Sequence, residues 1–165
     1  MPTFFDKAEV STPSDHEVKV VRSFKAPRDL VYKAYTTPEL LKRWLGYSGW
    51  SMPVCEMDVR VGGKYRWRWR GDTDNKEFGF HGVFSEVNAP AKLAHSQYYD
   101  PGDFGGDMGD GTLIAVAFVE DEGFTTVTTV MDFKTPQARD AAVSTGMTDG
   151  MEHSYQQLDQ LIAKR

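Results

Sequence analysis

Apolar and polar residues alternate along seven short segments of the 165-residue chain. An alternation of period two places the apolar side chains on one face of a β-strand. In the first segment, Glu17 to Phe24, Val18, Val20 and Arg22 share one face. Because turn residues join the segments by short links, the pattern predicts a mostly antiparallel sheet. The predicted strands are residues 17–24, 54–61, 64–70, 77–87, 92–99, 112–121 and 125–133.

Apolar residues with helical spacing occupy three other segments. They recur at intervals of three and four from Pro27 to Thr36 and from Pro38 to Leu45, which predicts two short helices after the first strand. A long helix is predicted from about Pro136 to Ala163, and at about 1.5 Å per residue it is long enough to cross the whole sheet. Its predicted buried stripe consists of Val143, Met147, Met151, Ser154, Leu158, Leu161 and Ile162.

Two small residues, Gly150 and Ser154, lie in the middle of that stripe, where a packed core would need bulk. They predict an internal cavity between the long helix and the sheet. The alternative is that large aromatic side chains from the sheet fill the same space. The chain has 4 Trp, 7 Tyr and 10 Phe residues, so both interpretations stay open at this point.

Composition excludes several classes of protein. A net charge of −5 gives no general attraction for nucleic acids or anionic membranes, and no apolar run approaches the length of a spanning helix. The single Cys55 cannot form an internal disulfide, which favours the cytoplasm. Residues 1–16 lack an apolar period and are interpreted as a partly ordered extension. Residues 17–165 are interpreted as one domain.

The segment from Lys64 to Arg70 alternates cations with aromatic residues. Tyr65, Trp67 and Trp69 therefore share one face of a strand, and the cations share the other. Because a single-stranded nucleic-acid groove needs both on one face, the pattern argues against that partner. On the next strand Phe78, Phe80 and Phe84 share a face in the same way, and these aromatic residues are predicted to line the cavity.

Candidate catalytic groups are few. His81 would need a bulge to turn inward, and then His95 on the neighbouring strand could be its partner; Tyr98 is a third candidate. Glu56 and Asp58 are expected to pair with the arginines. The loop 100–111 has four aspartates, but their spacing is not that of a calcium loop, so no metal is predicted there. A flap over the cavity is the alternative for this loop.

Three stretches resemble the SRPBCC (START-like, helix-grip) superfamily, and in particular its branch related to the activator of the 90-kDa heat-shock-protein ATPase. They are residues 22–44, which read RSFKAPRDLVYKAYTTPELLKRW, residues 57–67, which read MDVRVGGKYRW, and residues 82–93, which read GVFSEVNAPAKL. The pairs Gly146-Met147 and Gly150-Met151 are similar too, although the branch more often has Trp at the position of Met151. The resemblance covers about residues 17–163.

The resemblance implies an α+β helix-grip fold, in which a curved antiparallel sheet wraps around the long C-terminal helix and encloses a pocket. It implies no catalytic motif. The first hypothesis is therefore binding of a small apolar or aromatic molecule without turnover, with no cofactor. The predicted ligand-binding residues are Trp44, Tyr65, Trp67, Trp69, Phe78, Phe80, Phe84, Met147, Gly150, Met151 and Ser154.

Two alternatives belong to other classes of function. One is a cyclase- or aromatase-like enzyme that uses His81, His95 or Tyr98 to move a proton. The other is a co-chaperone-like partner of a heat-shock protein, which the branch name suggests and the lack of a recognisable second domain weakens. A homodimer is left open.

Overall fold

The computed structural model describes residues 3–102 and 111–164, and within them eight strands form one antiparallel sheet beside four helices. The strands are β1 (Glu9–Ser11), β2 (Glu17–Phe24), β3 (Trp50–Met57), β4 (Lys64–Gly71), β5 (Glu77–Asn88), β6 (Lys92–Asp100), β7 (Thr112–Asp121) and β8 (Phe124–Asp132). The helices are α1 (Arg28–Thr36), α2 (Pro38–Trp44), α3 (Pro136–Ser144) and α4 (Met147–Ala163).

The sheet has the strand order β1-β2-β8-β7-β6-β5-β4-β3, and every neighbouring pair is antiparallel. Alternation along each strand sends one set of side chains toward the helices and the other set outward. The predicted helix-grip fold, a curved antiparallel sheet with a C-terminal helix packed on it, is confirmed. Of the predicted aspartate-rich loop, residues 103–110 lie outside the described part of the chain.

Two strands differ from the sequence prediction. The N-terminal segment adds β1, which pairs with residues 19–21 of β2, so the sheet has eight strands rather than about seven. Strand β3 begins at Trp50 and ends at Met57, whereas residues 54–61 were predicted. It lies at the sheet edge and has a register shift between Ser51 and Val54, which disturbs the alternation from which strands are predicted.

The predicted long helix is interrupted, which corrects the single helix from Pro136 to Ala163. Helix α3 ends at Ser144 and α4 begins at Met147, because Gly146 adopts a left-handed conformation with φ of 80°. Helix α3 contributes no buried residue, and Val143 of the predicted stripe is 41% exposed. Among the described residues, no helix combines the length and the apolar character that a membrane crossing needs.

Helix α4 packs over β2 and beside α2. Leu158 is fully buried, and the Tyr155 ring meets Phe24 edge-on at 5.6 Å and stacks on Trp44 at 6.5 Å. Trp44 is itself 2% exposed and donates from Nε1 to the Ala34 carbonyl oxygen at 3.0 Å. It therefore belongs to the closed core between the helices and β2.

A buried cation joins α4 to the sheet. The Arg22 side chain of β2 is 2% exposed, and its Nη2 lies 3.1 Å from Glu152 Oε2 and 2.8 Å from Asp159 Oδ2. Burial opposes the charge of Arg22, but the hydrogen bonds to both carboxylates outweigh it and raise its pKa above the ordinary value. The backbone amide of Ala8 also donates to Glu152, at 2.6 Å, so the N-terminal segment contacts the same cluster.

We expect a Gly146→Ala substitution to lower the free energy of unfolding by about 1 kcal/mol, because an alanine resists the left-handed conformation. A Cβ atom at this position meets nothing within 4 Å, so backbone strain acts alone. Gly150→Ala is the matched control inside α4, where the Cβ atom makes an ordinary 3.6 Å contact with Tyr47. It should raise stability by about 0.5 kcal/mol. Urea unfolding of both variants measures the contrast, and equal effects would contradict the break in the helix.

Candidate functional site

The inner face of β4, β5 and β6 is lined by aromatic side chains. Direct cross-strand pairing places Trp67 opposite Phe80 and Trp69 opposite Phe78, and the Trp69 and Phe78 rings stack at 5.5 Å. We call this surface the aromatic wall; it consists of Tyr65, Trp67, Trp69, Phe78, Phe80, Phe84 and Tyr99. The structure thus brings together every aromatic residue of β4 and β5 that the sequence assigned to the cavity.

The wall is only partly covered. Tyr65, Trp69 and Phe84 are 2–3% exposed, but Trp67 and Phe80 are only half-buried. This contrasts with the β2 side of the same inner face, where Val18 is fully buried. The interior of the fold is therefore closed at β2 and less completely closed along β4 to β6.

The indole N–H groups of Trp44, Trp67 and Trp69 differ in their hydrogen bonding. Trp44 donates to a carbonyl oxygen, and Trp69 Nε1 lies 3.3 Å from the carbonyl oxygen of Leu45. The Trp67 Nε1 atom is buried as well, yet within the described residues it has no acceptor. A buried donor without a partner costs about 1–3 kcal/mol, so this group is a feature that stability alone does not explain.

His95 lies beside Trp67 on the same face and is 8% exposed. Its ring centroid is 6.4 Å from that of Trp67 and 4.9 Å from that of Tyr65. The Tyr65 hydroxyl donates to the Ser96 carbonyl oxygen at 2.7 Å, and His95 Nδ1 lies 3.0 Å from both of those oxygens.

These contacts fix the tautomer of His95. The Tyr65 hydroxyl has used its single hydrogen on Ser96, and a carbonyl oxygen only accepts, so Nδ1 must carry the hydrogen. Burial lowers the pKa of His95 below its ordinary value, although the hydrogen bond to Ser96 opposes the shift. The ring is therefore neutral at pH 7, and its Nε2 atom carries a lone pair.

On the helix side, the small residues make room for a loop. Ser154 Oγ lies 3.4 Å from the backbone nitrogen of Gly46 and 3.3 Å from its carbonyl oxygen, and a Cβ atom on Gly150 would contact Tyr47. The loop after α2 thus occupies the space that the sequence analysis assigned to a cavity beside Ser154. Met147 and Met151 are half-buried and pack against the core.

The sequence profile described as activator of Hsp90 ATPase homolog 1-like protein matches residues 25–163. The chain belongs to this family. The predicted resemblance is thereby confirmed.

Solved structures similar to this member of the activator of Hsp90 ATPase homolog 1-like family come from several bacteria. A protein from Rhodobacter sphaeroides is 30% identical with a TM-score of 0.86, over 94% of this chain and 98% of that one. Protein Ms6760 from Mycobacterium smegmatis is 21% identical with a TM-score of 0.81, over 93% and 94% of the two chains. The second likeness shows the fold alone. No curated protein matches the chain.

In this family member, two candidate catalytic residues lie on the outer face of the sheet. His81 is exposed, pairs with Tyr98 across β5 and β6, and stacks on it at 5.5 Å; Tyr98 is 41% exposed. The register shift in β5 falls between Phe84 and Glu86, too far along to turn His81 inward. His81 and His95 therefore cannot act as a pair, because they face opposite sides of the sheet.

The strand cations also point outward, where several are paired. Arg68 Nε lies 2.9 Å from Glu77 Oε1, and Arg70 Nη2 lies 2.7 Å from Glu77 Oε2. Asp58 pairs with Arg60, and Glu56 lies opposite Arg66. The predicted separation of aromatic and cationic faces on β4 holds, with Arg68 shielded further by its ion pairs.

Two hollows stand out on the described surface, and neither lies between α4 and the sheet. One of about 640 Å³ lies around His81 and Tyr98, where it is also lined by residues 56–58, 64–66, 82 and 83. The other, of about 370 Å³, lies beside α1 at Pro27, Asp29, Leu30 and Lys33. Within the described residues, no group of three or more His, Cys, Asp or Glu side chains is arranged to hold a metal ion.

Two residues of the inner face were missed by the sequence analysis. Tyr99 lies opposite Phe80, and alternation along β6 places it on the same face as His95, so the signal was present in the sequence. Cys55 lies opposite Trp67, but its place depends on the irregular register of β3. Burial raises the pKa of Cys55 to about 11, which keeps the thiol protonated at neutral pH.

Proposed function

We propose that the protein binds a small, largely aromatic molecule against the aromatic wall and does not convert it. The observation that carries the proposal is the contrast in burial along the inner face. Val18 and Phe24 of β2 are fully buried, whereas Trp67, Phe80 and Tyr99 on the sheet and Met147 and Met151 on α4 are half-buried. Aromatic and methionine side chains suit a surface that adapts to the shape of an apolar guest.

Binding is favoured over catalysis by the state of the titratable groups near the wall. Burial raises the pKa of the Tyr65 hydroxyl well above its ordinary value, and the Cys55 thiol stays protonated. His95 is a neutral base, but His81 and Tyr98, the other proton-transfer candidates, lie on the opposite face. The enzyme alternative therefore rests on His95 alone.

The family name refers to activation of an Hsp90 ATPase, and proteins of this fold commonly bind hydrophobic ligands or partners. A chaperone partner for this chain stays an alternative prediction. A cytoplasmic location, a homodimer and the absence of a nucleic-acid partner also stay predictions.

The test is a fluorescence titration with N-phenyl-1-naphthylamine, a neutral aromatic probe, for which we expect a Kd on the order of 10–100 µM. Met151→Trp adds bulk to the half-buried side of α4 and should weaken binding about tenfold. Filling variants at Gly150 or Ser154 are less suitable, because Tyr47 and Gly46 already contact those positions.

Tyr98→Ala is the control, since it removes an aromatic ring from the outer face. It should leave the affinity for the probe unchanged. Circular dichroism checks that each variant is folded. Failure of the wild-type protein to bind the probe, or equal loss of affinity in Met151→Trp and Tyr98→Ala, would overturn the proposal.

A further inference from the structure

On the inner face, Trp67 and the neighbouring His95 each carry a polar atom that makes no hydrogen bond with the described residues, and the two atoms are of opposite kind. Trp67 Nε1–H is a buried donor that no described residue accepts from. An indole nitrogen can only donate, so the group that satisfies it must be an acceptor such as a carbonyl, ether or hydroxyl oxygen. A purely hydrocarbon ligand would leave this donor buried and unpaired.

The second atom is the His95 Nε2. Every hydrogen bond that the described residues make with the His95 ring goes through Nδ1, which the contacts to Tyr65 and Ser96 define as the protonated nitrogen. In a neutral ring Nε2 can only accept, so its complement is a donor such as a hydroxyl or N–H group. The ring is held in this orientation by β6 and by Tyr65 on β4.

The two rings lie on one face with their centroids 6.4 Å apart, so one small ligand can contact both rings. The buried cation Arg22 is already paired with Glu152 and Asp159. A neutral His95 cannot balance a negative charge, and burying an unpaired carboxylate is expensive. The ligand that fits is therefore aromatic, neutral and able both to accept and to donate.

We infer that the protein selects phenols, aromatic molecules whose hydroxyl oxygen accepts from Trp67 Nε1–H and whose hydroxyl hydrogen is donated to His95 Nε2. This inference rests on the proposed function, because it assumes that the ligand lies against the aromatic wall. It goes further in naming the chemical class of the ligand. A hydroxyl group satisfies both nitrogens, an ether satisfies the donor alone, and a hydrocarbon satisfies neither.

The experiment compares four probes of similar size by calorimetry and fluorescence: naphthalene, 2-methoxynaphthalene, 2-naphthol and 2-naphthoate. We expect 2-naphthol to bind about tenfold more tightly than naphthalene, since each neutral hydrogen bond contributes modestly and the buried donor gains a partner. The ether should lie between them, and the carboxylate should bind most weakly.

Variants assign the two contacts. Trp67→Phe keeps a ring but removes the N–H group, and it should abolish the advantage of the ether over naphthalene. His95→Phe should abolish the advantage of 2-naphthol over the ether. Trp69→Phe is the matched control, because its N–H group is already bonded to Leu45, so it should affect all four probes alike.

A spectroscopic readout does not depend on the stability of the variants. In the wild-type protein, the ¹⁵N–¹H signal of the Trp67 indole should move downfield with 2-naphthol and not with naphthalene. Equal affinities for all four probes would overturn this inference while leaving the proposed binding function intact. If none of the four probes binds, the proposed function itself is overturned.

Discussion

Converting both Glu152 and Asp159 to their amides is expected to lower the free energy of unfolding by about 3–5 kcal/mol. The amides keep the shape of the side chains but remove the two charges that balance Arg22. The guanidinium makes four hydrogen bonds to these carboxylates, at 2.8–3.2 Å. Its side chain is 2% exposed, so it cannot turn to water when the charges are removed.

Removing the cation should lower the free energy of unfolding by less than removing the two carboxylate charges. The Glu152 and Asp159 side chains are 20% and 44% exposed, so after Arg22→Met both carboxylates can reach water. Methionine also keeps much of the apolar stem of the arginine. We expect this variant to lose about 1–2 kcal/mol, less than the double amide variant.

Urea unfolding at pH 7, followed by circular dichroism, measures both variants. Asp140→Asn is the control, because Asp140 pairs with Arg139 at the surface with its own side chain 68% exposed. Such a pair is worth less than about 1 kcal/mol. If Arg22→Met loses more stability than the double amide variant, leaving the buried cation without its carboxylates is not the more destabilising change.

The same cluster predicts a dependence on pH. Burial alone would raise the pKa of Glu152, but the hydrogen bonds from Arg22 and the Ala8 amide outweigh it and lower the pKa below the ordinary value. A lowered pKa stabilises the folded state above the ordinary carboxylate pKa, and this contribution is lost as the pH falls through the lower value. The Glu152→Gln variant lacks this contribution, so its free energy of unfolding should fall less than that of the wild-type protein as the pH is lowered.

Gly82→Ala is expected to lower the free energy of unfolding by about 3 kcal/mol, because Ser96 of β6 and the Tyr65 ring both lie close to Gly82. A Cβ atom there would overlap the Ser96 carbonyl oxygen and lie 2.8 Å from Tyr65 Cε1. Both groups hold the His95 ring, so the substitution should also shift the ring signals of His95 in NMR spectra.

Gly123→Ala is the matched control. Gly123 has a φ of 84°, and a Cβ atom there meets nothing within 4 Å, so the substitution introduces backbone strain without a clash. It should cost about 1 kcal/mol and leave His95 undisturbed. If the two alanine variants lose equal stability, the close approach at Gly82 has no special role.

The strands and their faces were predictable because side chains alternate along β4, along β6 and along β5 as far as its register shift after Phe84. The face of Trp67 could be read from its neighbours Arg66 and Arg68 alone. The start of β3 could not be predicted, because Pro53 and a register shift interrupt the alternation at the sheet edge. Strand β1 has no apolar period from which it could be predicted. Backbone pairing with β2 and the hydrogen bond from the preceding Ala8 to Glu152 hold it in place.

The polar details of the site were beyond the sequence for a different reason. Trp44, Trp67 and Trp69 are chemically identical, and whether an indole N–H finds an acceptor depends on loops that tertiary packing positions. The carbonyl of Leu45 reaches Trp69 because the loop after α2 crosses that part of the wall. The same loop lies against Ser154, which leaves no room for a larger side chain there. From the sequence pattern alone, a small residue at this position indicated a cavity.

The two ends of the sheet are closed in different ways. At one end, β1 is only three residues long, and Phe5 pairs with Ser23 through its backbone, which shields the next stretch of β2. At the other end, β3 carries Pro53, which has no backbone donor, and an irregular register. Within the described residues, neither edge offers a long, regular row of unpaired backbone groups, which disfavours the joining of two copies by extension of the sheet. The expected interface of a homodimer is therefore one between side-chain surfaces.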